Sequence, residues 1–499
     1  MKENLEVPMH AQAAERLAAL EARVRQDQDT LCRPAANWVL PRRKDGETAV
    51  DVVIIGGGMV GQLAWFALNS AGIRNLRILD RAPAGREGPW LTYARMETLR
   101  SPKQLTGPAY GYASLTCRAW YTAVYGEAAW EALDKIPRTT WMDYLKWYRE
   151  VLAVPVENGV EVTRIRPEGD LLRLDLAGAA ESSLLVRKVV MATGRDGTGH
   201  PAIPKFMDGV PRSRWAHSSD DIDFARLKGK RVVVIGAGAS AVENAAEALE
   251  HGCKEARLLV RRKAMPTINK MMGIGSFGFT AGFAELPDEW RWRFMQYSFA
   301  TQTPAPRGST LRVSRHDNAY FHFGQGVRSV RLSGDELIVE TTQGVRLATD
   351  YLILGTGFTT DPLARTELEG YADKIALWRD RYTPPPGEEN ADLGNFPYLN
   401  ADFSFQERAP GTAPWLANLY CFNYGASASL GKVSGDIPGI SEGAAWLTRS
   451  LAATLYREDV AAHFQGMVEY AKPELLGDEW TESPLEPDAV APLQETGDD

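Results

Sequence analysis

An α/β fold made of two parallel-sheet modules, the second inserted into the first, is predicted by three features of the 499-residue sequence. Apolar, β-branched runs break into glycine-rich turns at residues 51–61 and 231–241. Each turn is followed by a helical stretch and a second apolar strand, so the same grammar occurs twice. Each unit is closed downstream by a hairpin-like pair and a strand ending in glycine, KVVMATG after the first and YLILGTG after the second.

Taken in order, residues 11–28 predict an amphipathic helix, with Leu17, Leu20 and Val24 at helical spacing, and 41–47 a linker. DVVIIGGGMVG reads as a buried strand and turn, QLAWFALNSAG as its helix and LRILD as the next strand. The aromatic-rich stretch 141–152 is helical, and VEVTRIRPEGDLLRLDL is hairpin-like. RVVVIGAGASA opens the second unit, and VRSVRLSGDELIVETTQGVRLATD is its antiparallel meander. Residues 382–402 predict a surface loop, 445–456 a helix, and the acidic, proline-rich tail from 473 a loosely ordered end. The expected divisions are 1–47 for the arm and linker, 48–205 and 356–499 for the two parts of the first domain, and 206–355 for the insert.

Composition narrows the function. Hydrophobic residues at 44% and charged residues at 24% are globular values. With 64 acidic and 56 basic side chains, the net charge of −8 gives no footprint for nucleic acid. The first ten residues lack an apolar secretory core, no stretch reads as a transmembrane span, and a cytoplasmic location is expected. Cys32, Cys117, Cys253 and Cys421 form no CxxC pair, so neither metal ligation nor dithiol redox chemistry is expected. HExxH, P-loop and hydrolase-triad patterns are absent. The N-terminal helix is compatible with a homo-oligomer interface.

The first turn reads Gly56-x-Gly58-x-x-Gly61. Gly56 permits the tight turn, Gly58 lets the main chain approach a pyrophosphate, and Gly61 lets the helix pack close to the sheet. The helix start then presents its N–H groups to the phosphates. Asp80 ends the next strand, where a carboxylate accepts from a ribose diol and repels a 2′-phosphate. Arg81 beside it and Val162 in the hairpin-like segment complete the expected contacts. The second turn reads Gly236-x-Gly238-x-Ser240-Ala241 and is followed at its strand end by Arg261 and Arg262, which suit a 2′-phosphate. The contrast assigns FAD to the first module and NADPH to the second. The fold class is therefore two Rossmann-like dinucleotide-binding domains, the NADP domain inserted into the FAD domain.

This order resembles the class B flavin-dependent monooxygenases, with their flavin-containing, Baeyer–Villiger and N-hydroxylating groups, over residues 50–455. Thr193-Gly194 and Thr356-Gly357 resemble the two return strands that close on the flavin. Gly88-Pro-Trp90 resembles the turn beside it, and Asp436 after Gly435 the late segment reaching its ribityl chain and ring. METLRSPK (96–103) is similar to the strand–turn under the isoalloxazine, and its TLRSP portion resembles ornithine-type N-hydroxylases. The run 206–221 departs from the interdomain fingerprint: seven residues separate Gly209 from His217, and no Tyr or Trp stands four after His217. No single group is assigned.

The resemblance implies NADPH-dependent oxygenation of a nitrogen or sulfur of a small molecule by O2, through a flavin C4a-(hydro)peroxide. Baeyer–Villiger oxidation of a ketone and a non-oxygenating redox partner or sensor are the alternatives. Arg100 and Lys103, in the segment under the flavin, and His217 in the linker are the candidate catalytic residues, with Ser218 on the NADP side. Arg315 and His316 either line that side or form a polar loop. The glycine-rich stretch 268–283 reads equally as an active-site loop, a membrane-touching patch or a buried turn.

Overall fold

The computed structural model describes residues 8–485. Residues 1–7, most of the stretch expected to lack a secretory core, and the tail beyond 485 lie outside the described residues.

The first sheet is built from β1 (Val50–Ile55), β2 (Leu76–Asp80), β3 (Val156–Asn158), β4 (Glu161–Glu168), β5 (Leu171–Ala177) and β6 (Ser183–Met191), in the order β3-β2-β1-β6-β5-β4. The pairs β3/β2, β2/β1 and β1/β6 are parallel, while β4, β5 and β6 form the expected antiparallel meander. β6 changes partner along its length. Ser183–Val186 pairs with β5, and Val189–Met191 pairs in parallel with a late strand, Leu419–Cys421. That exchange brings the 421–436 stretch beside the ends of β1 and β6. The helix after β1, α1 (Met59–Ser70), is buried around almost its whole circumference. Its apolar sequence therefore reflects a helix enclosed by protein, not a membrane span. Among the described residues no helix is long and apolar enough to cross a membrane.

The second sheet takes all its strands from residues 215–354. They are β7 (Trp215–His217), β8 (Arg231–Ile235), β9 (Glu255–Val260), β10 (Ala319–Phe323) and β11 (Tyr351–Leu354), all parallel in the order β7-β11-β8-β9-β10. Its fingerprint helix, α2 (Ala239–Glu250), lays Ala241, Val242, Ala245 and Ala246 on Val232, Val234, Leu258 and Ile353. Small side chains on that face let the helix sit close to the sheet. Another helix, α3 (Arg307–Ser314), covers α2 from the other side. The chain leaves the first sheet and returns to it through a two-stranded antiparallel link, Gly199–Pro201 with Phe358–Thr360.

The N-terminal helix spans Ala13–Thr30 and packs on its own chain: Ser114 Oγ donates to Asp27 at 2.5 Å and Trp147 Nε1 to Glu21 at 3.3 Å. Residues 382–402 do not form the expected surface loop throughout. Leu393 and Phe396 are buried with Phe283, Trp292 and Trp378, because the apolar side chains between the acids and prolines point inward. The 268–283 stretch divides, with Ile268, Met272 and Phe277 exposed and Phe283 buried. From residue 454 the chain is a separate unit carrying the helix Val460–Glu469, in which His463 stacks on Tyr456 at 4.3 Å.

Candidate active site

The two glycine turns are built by the same close approach. Gly56 has φ +106°, and a methyl group there would stand 2.5 Å from the Ala192 carbonyl oxygen. Gly236 has φ +133°, and its methyl would stand 2.4 Å from the Gly355 carbonyl oxygen. In both modules the turn out of the first strand therefore crosses directly beside the return strand. The modules divide the remaining space differently. In the first, Gly61 faces the turn, and a methyl there would lie 1.8 Å from the Gly56 oxygen. In the second the helix carries Ala241, and Gly355 makes room: a methyl on Gly355 would lie 2.4 Å from that of Ala241. Gly58 and Gly238 are the helix N-caps, and no side chain caps either helix start. Main-chain N–H groups of the first turns are thus left for an anionic ligand. Gly88, Gly194 and Gly357 all have positive φ and open space where a methyl would be. These open cradles fit nucleotide cofactors.

Asp80 is at the first turn, but both of its oxygens are already engaged. Gly57 N–H donates to Oδ2 at 2.7 Å and Ala82 N–H to Oδ1 at 2.7 Å. Burial raises its pKa while those two bonds oppose the rise. Each oxygen keeps a second lone pair for a ribose hydroxyl. Sequence reasoning missed the neighbouring Glu87, buried and bonded to Arg149 at 2.7 Å and to Asn158 Nδ2 at 2.6 Å. Arg81 instead points to Glu161 at 3.6 Å, with both side chains exposed. Val162 lies buried in the β4/β5 ladder opposite Leu176; the main chain that meets β2 is Val160, whose N–H donates to the Asp80 carbonyl at 3.1 Å. Trp90 sits edge-on to Trp141 at 6.3 Å, and its carbonyl accepts from Arg138 at 2.6 Å.

The return strands converge on residues the motifs did not mark. Thr193 Oγ1 accepts from Asn423 Nδ2 at 3.1 Å, and Asn423 also donates to the Met191 carbonyl at 3.1 Å. Ser434 Oγ donates to the Asn423 carbonyl at 2.6 Å, so one buried amide ties residues 191–194 to 423–436. An isolated Asn in a Gly/Ser-rich run carries no motif in the sequence. Arg195 lies over the Tyr424 ring at 4.4 Å. Asp436 caps a short helical turn, 3.5 Å from Lys432. Thr356 Oγ1 donates to the Ala202 carbonyl at 2.5 Å. Ser218 is buried, with its N–H on the Leu354 carbonyl at 3.0 Å.

The three candidate catalytic side chains part company. Arg100 reaches across to the insert and donates to the Pro304 carbonyl at 2.6 Å. Burial lowers its pKa, while the Glu243 carboxylate opposes that shift. Lys103 turns away, donating to the Trp130 and Glu131 carbonyls at 2.6 and 3.2 Å and lying over the Trp130 ring. The structure therefore does not bring Lys103 beside Arg100: the carbonyls at the end of the short helix Glu127–Ala132 attract the ammonium. His217 is buried, and both ring nitrogens are engaged. Nε2–H donates to the Gly357 carbonyl at 2.9 Å, and Nδ1 accepts from Ser219 Oγ at 2.7 Å. Burial lowers its pKa, so the ring is neutral and holds the GTG turn in place.

At the NADP-type strand end Arg261 is exposed, and Arg262 donates to the Ala300 carbonyl at 2.9 Å. Ser240 is exposed in the first turn of α2, and its carbonyl accepts from Asn244 at 2.8 Å. Arg315 pairs with Glu250 at 2.7 Å. Among the described residues no cluster of His, Cys, Asp and Glu could hold a metal ion.

Two glycine turns, one acid-ended and one arginine-ended, set beside two return strands define an FAD- and NAD(P)-binding flavoprotein. Comparisons with known proteins agree. Residues 53–196 match an FAD-NAD(P)-binding family model, and residues 130–303 match the L-lysine 6-monooxygenase/L-ornithine 5-monooxygenase model. The chain is 39% identical over 464 residues to an FAD-dependent urate hydroxylase of Xanthomonas campestris pv. campestris, covering 92% of this chain and 98% of that one. It shares the fold of ornithine hydroxylase from Pseudomonas aeruginosa (TM-score 0.62, 18% identity, 82% of this chain, 100% of that one). It also shares that of L-lysine 6-monooxygenase from Pseudomonas syringae (TM-score 0.62, 18% identity, 82% and 99%).

The chain belongs to the class B flavin-dependent monooxygenases and is an FAD- and NADPH-dependent enzyme. The match to the lysine/ornithine model supports the expected oxygenation at nitrogen, and the reading as a non-oxygenating sensor is set aside.

Proposed function

We propose that this chain hydroxylates urate or a closely related oxopurine, using NADPH, FAD and O2. The relationship to the urate hydroxylase carries the reading, because it covers 92% of this chain and 98% of that one. Arginines near the junction of the modules support it. Arg95 donates to the Asp220 carbonyl at 3.2 Å and Arg100 to the Pro304 carbonyl, so both first-module arginines lean toward the insert, and Arg195 stands beside Gly194. Guanidinium groups suit an acidic, planar oxopurine with several carbonyl oxygens.

In this reading Gly56, Gly58, Gly61, Asp80, Thr193, Gly194 and Asp436 hold FAD. Gly236, Gly238, Ser240, Ala241 and Arg261 hold NADPH, and residues 206–355 form the inserted NADP domain. When bound, FAD accepts hydride from NADPH and activates O2 for transfer of one oxygen atom. The protein supplies the rest. The uncapped starts of α1 and α2 bind phosphates, and His217 and Asn423 fix the two return turns. Arg100 places positive charge at the junction of the modules.

The lysine/ornithine model favours a second reading, N-hydroxylation of an amine. An ammonium substrate would meet the repulsion of Arg100 and Arg195. A panel of urate, xanthine, ornithine and lysine separates the two. Urate-dependent NADPH oxidation with an oxygenated purine product is expected, and product from ornithine or lysine alone overturns the proposal.

A further inference from the structure

Glu243 stands on α2, one turn beyond the glycine turn of the second module, and is 4% exposed. The next acids along the same helix face are paired. Arg312 of α3 binds Glu247 at 2.7 Å and Glu250 at 2.8 and 3.0 Å, and Arg315 adds a contact to Glu250 at 2.7 Å. Glu243 receives a neutral donor instead: Ser309 Oγ donates to its Oε1 at 3.0 Å, and among the described residues it forms no ion pair.

β8, β9, β11 and the turn at 224–227 face α2 with apolar side chains, including Val232, Leu258, Ile353 and Phe224. The charges that reach Glu243 come from Arg312 on α3, Arg100 in the 96–103 stretch and Arg138, the first residue of the helix Arg138–Val151. Burial is the largest influence and pushes the carboxyl up to about 7. A buried acid with no ion pair, one turn beyond a nucleotide-binding turn, is an arrangement that packing alone does not require.

We propose that Glu243 takes up a proton from solvent when NADP(H) docks at the start of its helix. The inference rests on the NADP assignment of the second module. Bringing phosphate charge to the start of α2 places like charge near an ionised Glu243, which favours its protonated form.

Calorimetric titration of the oxidised, FAD-loaded protein with NADP+, in buffers of different ionisation enthalpy, counts the protons exchanged without any turnover. At about pH 8, where the free carboxyl is largely ionised, the wild type is expected to take up more protons than Glu243→Gln, the difference approaching one per NADP+. The 2′-phosphate's own protonation contributes equally to both proteins. Ser309→Ala removes a hydrogen bond that favours the ionised form, so its uptake shifts to higher pH. Equal uptake by the wild type and Glu243→Gln overturns the proposal while leaving NADP binding intact. If Glu243→Gln does not fold, an unshifted Ser309→Ala profile overturns it. Absence of any NADP+ binding by the wild type overturns the cofactor assignment as well.

Discussion

Replacing Glu243 with Gln keeps its shape and removes its titration, so the stability difference between the two proteins follows pH. In the folded chain burial raises the Glu243 carboxyl from 4.5 to about 7. Between those values the folded state binds more protons than the unfolded one, and stability falls as pH rises. The contribution is fully present below 4.5 and is lost as pH rises through about 7. At about 1.4 kcal/mol per pH step, the interval sets a ceiling of about 3.5 kcal/mol. Glu243→Gln is therefore expected to gain on the wild type progressively from pH 5 to pH 8 and then to run parallel to it. Denaturant titration or thermal melting at several pH values, followed by tryptophan fluorescence, measures this. The gain is largest on the alkaline side, opposite to what a salt-bridged acid would show. Parallel curves at every pH would refute the claim that a buried, unpaired carboxyl titrates there.

Four further outcomes follow from the site. Gly61→Ala places a methyl 1.8 Å from the Gly56 oxygen, so purified protein should lose its flavin absorbance per chain while the second module still binds NADP+. Arg261→Ala should weaken NADPH binding by roughly 10- to 100-fold, the worth of one charge-assisted contact, and leave NADH almost unchanged; equal loss for both overturns the 2′-phosphate assignment. His217→Ala should cost about 1–3 kcal/mol of stability, because the buried Gly357 carbonyl loses its Nε2–H donor. It should introduce no new break in the pH–rate profile, since the wild-type ring is already neutral. Lys103→Met should leave flavin reduction by NADPH close to the wild-type rate, because Lys103 is held by the Trp130 and Glu131 carbonyls.

The parts of this fold legible in the sequence are those where the main chain itself constrains residue type. Gly56, Gly61, Gly236 and Gly355 sit where a methyl would collide with backbone, so chain geometry and sequence pattern coincide. Both antiparallel meanders, the second formed by Val327–Ser333, Glu336–Thr341 and Arg346–Thr349, and the two return strands are legible for the same reason, since period-two patterning and terminal glycines are local signals. Side-chain partnership was not legible. Arg100 and Lys103 are three residues apart in one motif, yet they end at Pro304 and Trp130 because the turn between them sends them to different elements. His217 looks reactive as a letter, but two hydrogen bonds formed only in the fold make it a fixture. Asn423, Glu87 and Glu243 carry no motif at all; each gains its role from burial and from partners distant in sequence. Residues 382–402 show the same limit, where prolines and acids concealed the buried Leu393 and Phe396.

The most direct test of the central claim is a reaction of the FAD-loaded protein with NADPH, urate and isotopically labelled O2, read by mass spectrometry of the purine product. The account predicts one labelled oxygen atom in the product for each NADPH consumed, with NADH a much poorer donor. NADPH oxidation that yields only hydrogen peroxide, with urate and every related oxopurine recovered unlabelled, would contradict it.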